Sequence, residues 1–263
     1  MLIKYIKLYI EFSKQSIKTN LEYRADFIIG VLSAILVQLS GILFVWLIFE
    51  NIREIKGWSF YQVTFLYGLM SMSRGFFNIV FNNLWVLGSQ YIREGKFDIL
   101  LLRPISTLFH LIADRLEPQG LGHIAIGLII TIRSIQELNI SLNFIDIILF
   151  IIFIISGASI FGAIQVITSV SSFWIVNSNE FMWAFFQAHE FAQYPITIYN
   201  KYIKGILTWV LPYAFASFYP ANYFIHKGYY YLSFLSPLVA IIMWIIAVNI
   251  WSFGIRNYTS TGS

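Results

Sequence analysis

The sequence predicts an all-α integral membrane protein with about six transmembrane helices, an N-terminal amphipathic interfacial helix and a short cytoplasmic helix between spans two and three. Three observations carry this expectation. Hydrophobic residues make up 58% of the chain and charged residues 11%, against about 25% in soluble domains, so there is too little polar surface to enclose the apolar mass in water. Uncharged apolar runs reach the roughly 20 residues that cross a bilayer. The basic residues gather in the connections between those runs. The mean hydropathy of +0.72 agrees, and the 16 Tyr and 8 Trp suit the two membrane interfaces.

Residues 1–24 form the interfacial helix. Lys4, Lys7, Glu11, Lys14 and Lys18 recur at intervals of three and four, which sets them on one face, while Ile3, Ile6, Ile10 and Ile17 occupy the rest. Such a helix lies in the headgroup plane with its basic side toward anionic lipid. The same charges interrupt any apolar core and no small-residue cleavage site follows, so the segment does not read as a cleavable signal peptide. Residues 27–49, 23 positions without an ionisable group, make the first span. The second, 60–88, belongs to an apolar stretch running to about Tyr91; as one helix it would be ~45 Å long and would project into the cytoplasm. Residues 118–135, 144–175, 203–219 and 232–254 supply the third to sixth. Pro212 and Pro220 make the fifth irregular, a broken helix with a re-entrant turn. Residues 177–201 are aromatic but carry Glu180, His189 and Glu190, and read as interfacial. No linker or internal repeat divides the chain, so residues 1–263 read as one domain.

Six spans place both termini on one side, and the basic residues say which. Lys4, Lys7, Lys14, Lys18, Arg24, Arg93, Lys96, Arg103, Arg115, Lys201, Lys204 and Arg256 fall on the side of the termini; Arg53, Lys56, Arg133 and Lys227 fall on the other. Twelve against four puts both termini in the cytoplasm of a multi-pass plasma-membrane protein. This distribution also explains the net charge of +4 without nucleic acid as a partner.

Much chemistry is excluded. With no cysteine, the chain builds neither a disulfide nor a thiolate site. It has no phosphate-cradling G-x-x-x-x-G-K-[ST] loop; Gly95-Lys96 is followed by Phe97 and lacks the upstream glycine. In His189-Glu190-Phe191-Ala192-Gln193, Gln193 stands where a zinc-binding helix needs its second histidine. His110, His123 and His226 are widely separated, and no catalytic grouping follows from spacing. The chain is expected to be a non-catalytic subunit with no cofactor of its own.

The informative stretch is Tyr91-Ile92-Arg93-Glu94-Gly95-Lys96-Phe97-Asp98-Ile99-Leu100-Leu101-Leu102-Arg103-Pro104. Gly95 breaks the long helix, Asp98 caps a short new one, and Arg103-Pro104 ends it. The pattern Y-I-R-x-G-x-x-D-x-x-L-L-R-P resembles the loop after the second span of ABC-2 type transporter permeases, in the paired-permease branch called ethyl-viologen-exporter-like. Tyr194-Pro195-Ile196-Thr197-Ile198-Tyr199, Leu211-Pro212-Tyr213-Ala214-Phe215 and Tyr219-Pro220-Ala221 are similar to that branch's fifth-span region. The resemblance implies an α-helical permease of an ATP-driven exporter. It implies a second permease, identical or different, and a dimer of cytoplasmic ABC ATPases that binds ATP and Mg. By the same resemblance Arg93, Glu94, Gly95, Lys96, Asp98 and Arg103 lie at or near the ATPase contact, with Lys96 and Phe97 at positions that vary in the pattern.

Arg74 sits about 14 residues into span two, where a cation costs on the order of 3 kcal/mol unless it faces protein or water. With Asn78 and Asn82 it forms a polar stripe, either lining a pathway or pairing subunits; backbone carbonyls or a partner's carboxylate could hold the arginine. An ion-coupled secondary transporter is the rival reading, but no carboxylate lies deep in a span; a non-transporting membrane assembly subunit is the other.

Overall fold

The computed structural model describes residues 2–175 and 177–259; Met1, Val176 and 260–263 of the expected 1–263 domain lie outside the described residues. Helix α1 (Leu2–Glu22) is separated from α2 (Arg24–Asn51) by Tyr23 alone, whose backbone (φ −100°, ψ 56°) turns the chain. A tight turn closed by the Ile55–Trp58 bridge leads into α3 (Phe60–Phe81), where the Gln62 carboxamide oxygen accepts from the Ser59 amide at 3.2 Å. The expected single ~45 Å helix is interrupted here: after Phe81 the chain tightens into a 3₁₀ turn (Asn82–Val86) and then widens into a π turn (Leu87–Ile92). The cause is local. The Asn83 side chain leaves its own helix to donate to the Leu111 carbonyl at 2.8 Å, the competition that makes Asn a poor helix former.

Two short helices follow, α4 (Lys96–Leu101) and α5 (Thr107–Asp114), where the sequence suggested one. Then come α6 (Gly120–Glu137) and α7 (Phe144–Ser169), which continues as a 3₁₀ turn to Phe173. The Asn143 side chain accepts from the Asp146 amide (3.0 Å) and Asp146 accepts from the Asn143 amide (2.9 Å), a reciprocal cap on α7. Asn143→Ala is expected to lower stability by about 1 kcal/mol, read as a fall in the thermal midpoint in detergent.

Beyond α7 the chain is irregular, as Pro212 and Pro220 suggested. Residues 177–201 are only partly buried, with Glu180, Phe181, Trp183, Glu190 and Phe191 exposed. Helix α8 (Ser178–Gln187) and the 3₁₀ turns after it bury Met182, Phe186, His189 and Ala192 against the rest of the bundle. The segment runs end to end: Ser178 bonds Ser172 at one end (2.8 Å), and the Thr197 and Ile198 carbonyls accept from Lys56 at the other (3.4 and 3.3 Å). Residues 203–219 are not a continuous helix. Helix α9 (Lys201–Gly205) runs on as a π turn (Ile206–Val210), breaks at Leu211-Pro212, and is followed by a 3₁₀ turn (Tyr213–Ala216) and α10 (Phe218–Phe224). Lys204 lies over Tyr229, and Lys227 over Trp58, so Lys201 and Lys204 belong to the same end as Lys56 and Lys227. The basic count becomes ten against six, with the same sign. After a 3₁₀ turn (Tyr230–Leu235), α11 (Ser236–Arg256) completes the chain.

Among the described residues, three helices are long and apolar enough to cross a membrane: Arg24–Asn51, Phe144–Phe173 and Tyr230–Arg256. Helices α3 and α6 fall short because glycine and polar side chains fill their shared seam. Gly68 faces Gly127 and Gly75 faces Gly120, with Ser71 donating to the His123 carbonyl (2.8 Å) and Thr64 bonded to Ser134 (2.9 Å). A Cβ on Gly75 would lie 2.7 Å from the Gly120 carbonyl oxygen, and one on Gly127 would lie 2.9 Å from that of Gly68. The two backbones therefore touch, the packing mode of helices that share no hydrophobic drive in lipid. Around this seam an aromatic core gathers Phe77, Phe161, Phe186 and Tyr213, with Phe77 5.5 Å from both Phe161 and Phe186.

Candidate functional site

Two regions hold the residues that the sequence singles out. The first is the elbow after α3. Gly95 adopts φ +69°, a left-handed conformation that costs an L-residue roughly 1–2 kcal/mol, and this bend aims α4 back against the bundle. Phe97 and Leu100 are buried beneath α4; the Phe97 ring meets Tyr258 at 5.0 Å, Phe173 at 5.2 Å and Trp251 at 6.3 Å. Asp98 is not the cap. Gly95 occupies that position and Asp98 lies in the first turn beside Tyr258, whose hydroxyl pKa is raised by burial and by the neighbouring Asp98 carboxylate. Asp98 and Phe97 thus tie α4 to the end of α11.

What remains outside is charged and apolar. Arg93, Glu94, Lys96 and Arg103 are exposed, and Glu94 pairs with Lys96 at 2.6 Å. Between them stand three bare apolar side chains, Ile99 at 56% exposure, Leu101 at 42% and Leu102 at 86%. Behind this surface α5 forms a second layer. Arg103 donates to His110 Nε2 at 3.1 Å, Tyr91 donates to Asp114 at 2.6 Å, and α1 docks on the same helix through Tyr5 against Phe109 (4.7 Å) and Phe12 against His110 (5.1 Å). Ser16 accepts from the Leu116 amide at 2.8 Å. Helix α1 therefore has three faces: one on α5, one of exposed lysines, and one of exposed Ile3, Ile6, Ile10 and Ile17.

Burial lowers the His110 pKa, with Asp114 opposing and Arg103 assisting. A lowered folded-state pKa means that the unfolded chain takes the proton first, so this contribution holds above the ordinary imidazole pKa and is lost as pH falls below it. Acidification from about pH 7.5 to about 5.5 is expected to lower the protection of the α5 amides relative to their intrinsic exchange rate at each pH, and His110→Gln should flatten that dependence.

The second region is a cavity of about 250 Å³ beside α3. Arg74, Asn78 and Asn82 line it together, as the helical spacing suggested, with Ser33 from α2, Gln119 and His123 from the start of α6, and Trp85, Trp183 and Phe186 as an aromatic wall. The Arg74 guanidinium carbon stands 5.4 Å from the Phe186 ring centroid. Among the described residues no carboxylate reaches it within ion-pair distance, and its buried Nε has no hydrogen-bond partner. The aromatic wall was missed in the sequence because Trp183 and Phe186 lie in the segment read as interfacial.

A helical bundle with lipid-length apolar helices, a glycine-seamed pair and a part-polar, part-aromatic cavity beside α3 fits a polytopic membrane transport component. The sequence model described as ABC-2 family transporter protein matches residues 35–262, and the chain belongs to that family. No curated protein matches the chain. Family membership implies partnership with an ABC ATPase, and the permeases of this class are typically non-catalytic.

Proposed function

We propose that the chain is the membrane-spanning permease of an ATP-driven exporter in the plasma membrane. In this reading both termini are cytoplasmic and the bundle crosses six times, through α2, α3 with its extension, α6, α7, residues 178–198 and α11. Residues 201–224 form a re-entrant hairpin on the outer side. ATP and Mg are bound by a cytoplasmic ATPase dimer, a second permease of the paired-permease branch completes the pathway, and α1 lays its lysine and isoleucine faces on lipid.

One observation carries the reading: the elbow combines a buried anchor with an exposed apolar and charged tip. Phe97 and Asp98 fix α4 to α11, while Ile99 and Leu102 stand bare among Arg93, Glu94, Lys96 and Arg103. An exposed apolar side chain rimmed by charge marks a protein contact. Closing of the ATPase around its nucleotide would press on this tip, and the anchored α4 would pass the displacement to α11 and α3 as a rigid unit.

The test is co-purification of the full chain with its ATPase, followed by ATP hydrolysis. Arg93→Glu is expected to reduce capture of the ATPase by at least about tenfold, a loss of one charged contact on the order of 1.5 kcal/mol or more. Impermeant labelling of a cysteine placed at Lys96 should require opened cells; labelling in intact cells would reverse the topology and end the proposal.

A further inference from the structure

We propose that the Arg74 cavity binds the anionic head of an amphiphile, a carboxylate or phosphate ester on an apolar or aromatic body. This inference rests on the transport reading above and names its substrate class.

The charge is the starting point. An arginine within the lipid-spanning part of α3 carries a cost of about 3 kcal/mol unless something answers it. Phe186 answers only in part, through its ring face at 5.4 Å. No carboxylate pairs with Arg74 among the described residues, and its buried Nε donor is unused. Buried donors are nearly always satisfied, so an idle one on a side chain that lines a cavity points to an acceptor that comes and goes.

The surroundings narrow the class. Asn78 and Asn82 carry further amide donors along the same face of the chain, leading from Arg74 toward Gln119 at the start of α6. Their order makes a track of donors, whereas a single cross-subunit ion pair would need the arginine alone. Opposite them Trp85 and Trp183 stand 5.7 Å apart, and Trp183 stacks on Phe186 at 5.7 Å, so one wall is aromatic. The volume of about 250 Å³ holds roughly eight waters, enough for a head group and the first part of its body. A cation would meet Arg74 unfavourably, and a neutral apolar molecule would leave its donors unpaired.

The experiment measures binding of dansylamino-undecanoic acid to the full chain in phosphatidylcholine nanodiscs, read by energy transfer from tryptophan. The acid is expected to bind about tenfold or more tightly than its methyl ester or the corresponding amine. Arg74→Gln should remove that preference, Arg74→Lys should keep part of it, and Trp183→Phe should weaken the transfer. If the acid shows no advantage over the ester with the unmodified chain, the proposal is overturned whether or not Arg74→Gln folds. An advantage that survives both Arg74→Gln and Trp183→Phe also overturns it, because the acid is then bound elsewhere. Adding phosphatidylglycerol to the nanodisc separates two sources of the same chemistry. Competition identifies a bilayer lipid head group as occupant, and its absence a different anionic amphiphile. Binding in this assay needs no ATPase, so a failed ATPase pull-down and a failed acid preference are separate results.

Discussion

Gly120→Leu is expected to abolish the folded protein. A Cβ at this position already meets the Gly75 carbonyl oxygen and sits 2.7 Å from Ile79 Cγ1 and 3.1 Å from the Ile79 amide nitrogen. Two of these neighbours are backbone of α3 and cannot rotate away, so the helices must part. Overpacking of this kind costs typically 1–3 kcal/mol and more when backbone is the obstacle; loss of at least about 3 kcal/mol is expected for Leu and about 1–3 kcal/mol for Ala. Gly205 provides the control, since nothing lies within 4 Å of a Cβ there. Gly205→Ala should be neutral or gain up to about 1 kcal/mol, because alanine is the better helix former. The same chemical change therefore carries opposite signs at two glycines. Thermal midpoints of the three purified variants decide it, and a wild-type midpoint for Gly120→Leu would show that the α3–α6 seam is misplaced.

The second large effect separates anchor from contact in the elbow. Phe97→Ala removes a fully buried ring from between Phe173, Trp251 and Tyr258 and should cost about 3–5 kcal/mol of local stability. Hydrogen exchange of the α4 amides should rise by about a hundredfold or more, since local opening then becomes that much easier. Leu102→Ala removes a side chain that is 86% exposed and should leave exchange unchanged. On the proposed function both variants lose stimulated ATP hydrolysis, Phe97→Ala because the tip no longer moves with the bundle and Leu102→Ala because the tip no longer grips. Equal exchange rates in the two variants would remove the distinction between them.

The parts of the fold that face lipid were the most legible. Residues 27–49 became Arg24–Asn51 and 232–254 lies within Tyr230–Arg256, because a long uncharged run has one outcome in a bilayer. The buried side of residues 177–201 was missed for the complementary reason. Hydropathy registers solvation by lipid, and His189 is enclosed by protein instead, its Nδ1 bonded to the Phe186 carbonyl at 2.5 Å with Phe161 edge-on 5.5 Å away. Nothing local announces such a partner. The interruption at Asn82 and Asn83 was likewise hidden, since it depends on the distant Leu111 carbonyl. In the elbow, Gly95 and the end near Arg103-Pro104 followed from turn chemistry, whereas the role of Asp98 depends on Tyr258, 160 positions away. The alignment of Arg74, Asn78 and Asn82 followed from helical spacing; the wall opposite them required the tertiary structure.

The break at Leu211-Pro212 constrains the order in which the protein is made. Helices of five to seven residues such as α9 and α10 satisfy too few of their own amides to be released singly into hydrocarbon. Tyr213, Ala214 and Phe215 are wholly enclosed, and Ser217 donates to the Ala192 carbonyl at 2.7 Å. That enclosure must exist before the hairpin can settle. During synthesis, then, α3 and α7 enter the membrane first and the stretch after Asn200 waits at its edge. A ribosome-stalled chain extended far enough beyond Phe224 for the hairpin to clear the exit tunnel should leave it open to protease until the earlier helices have closed around it.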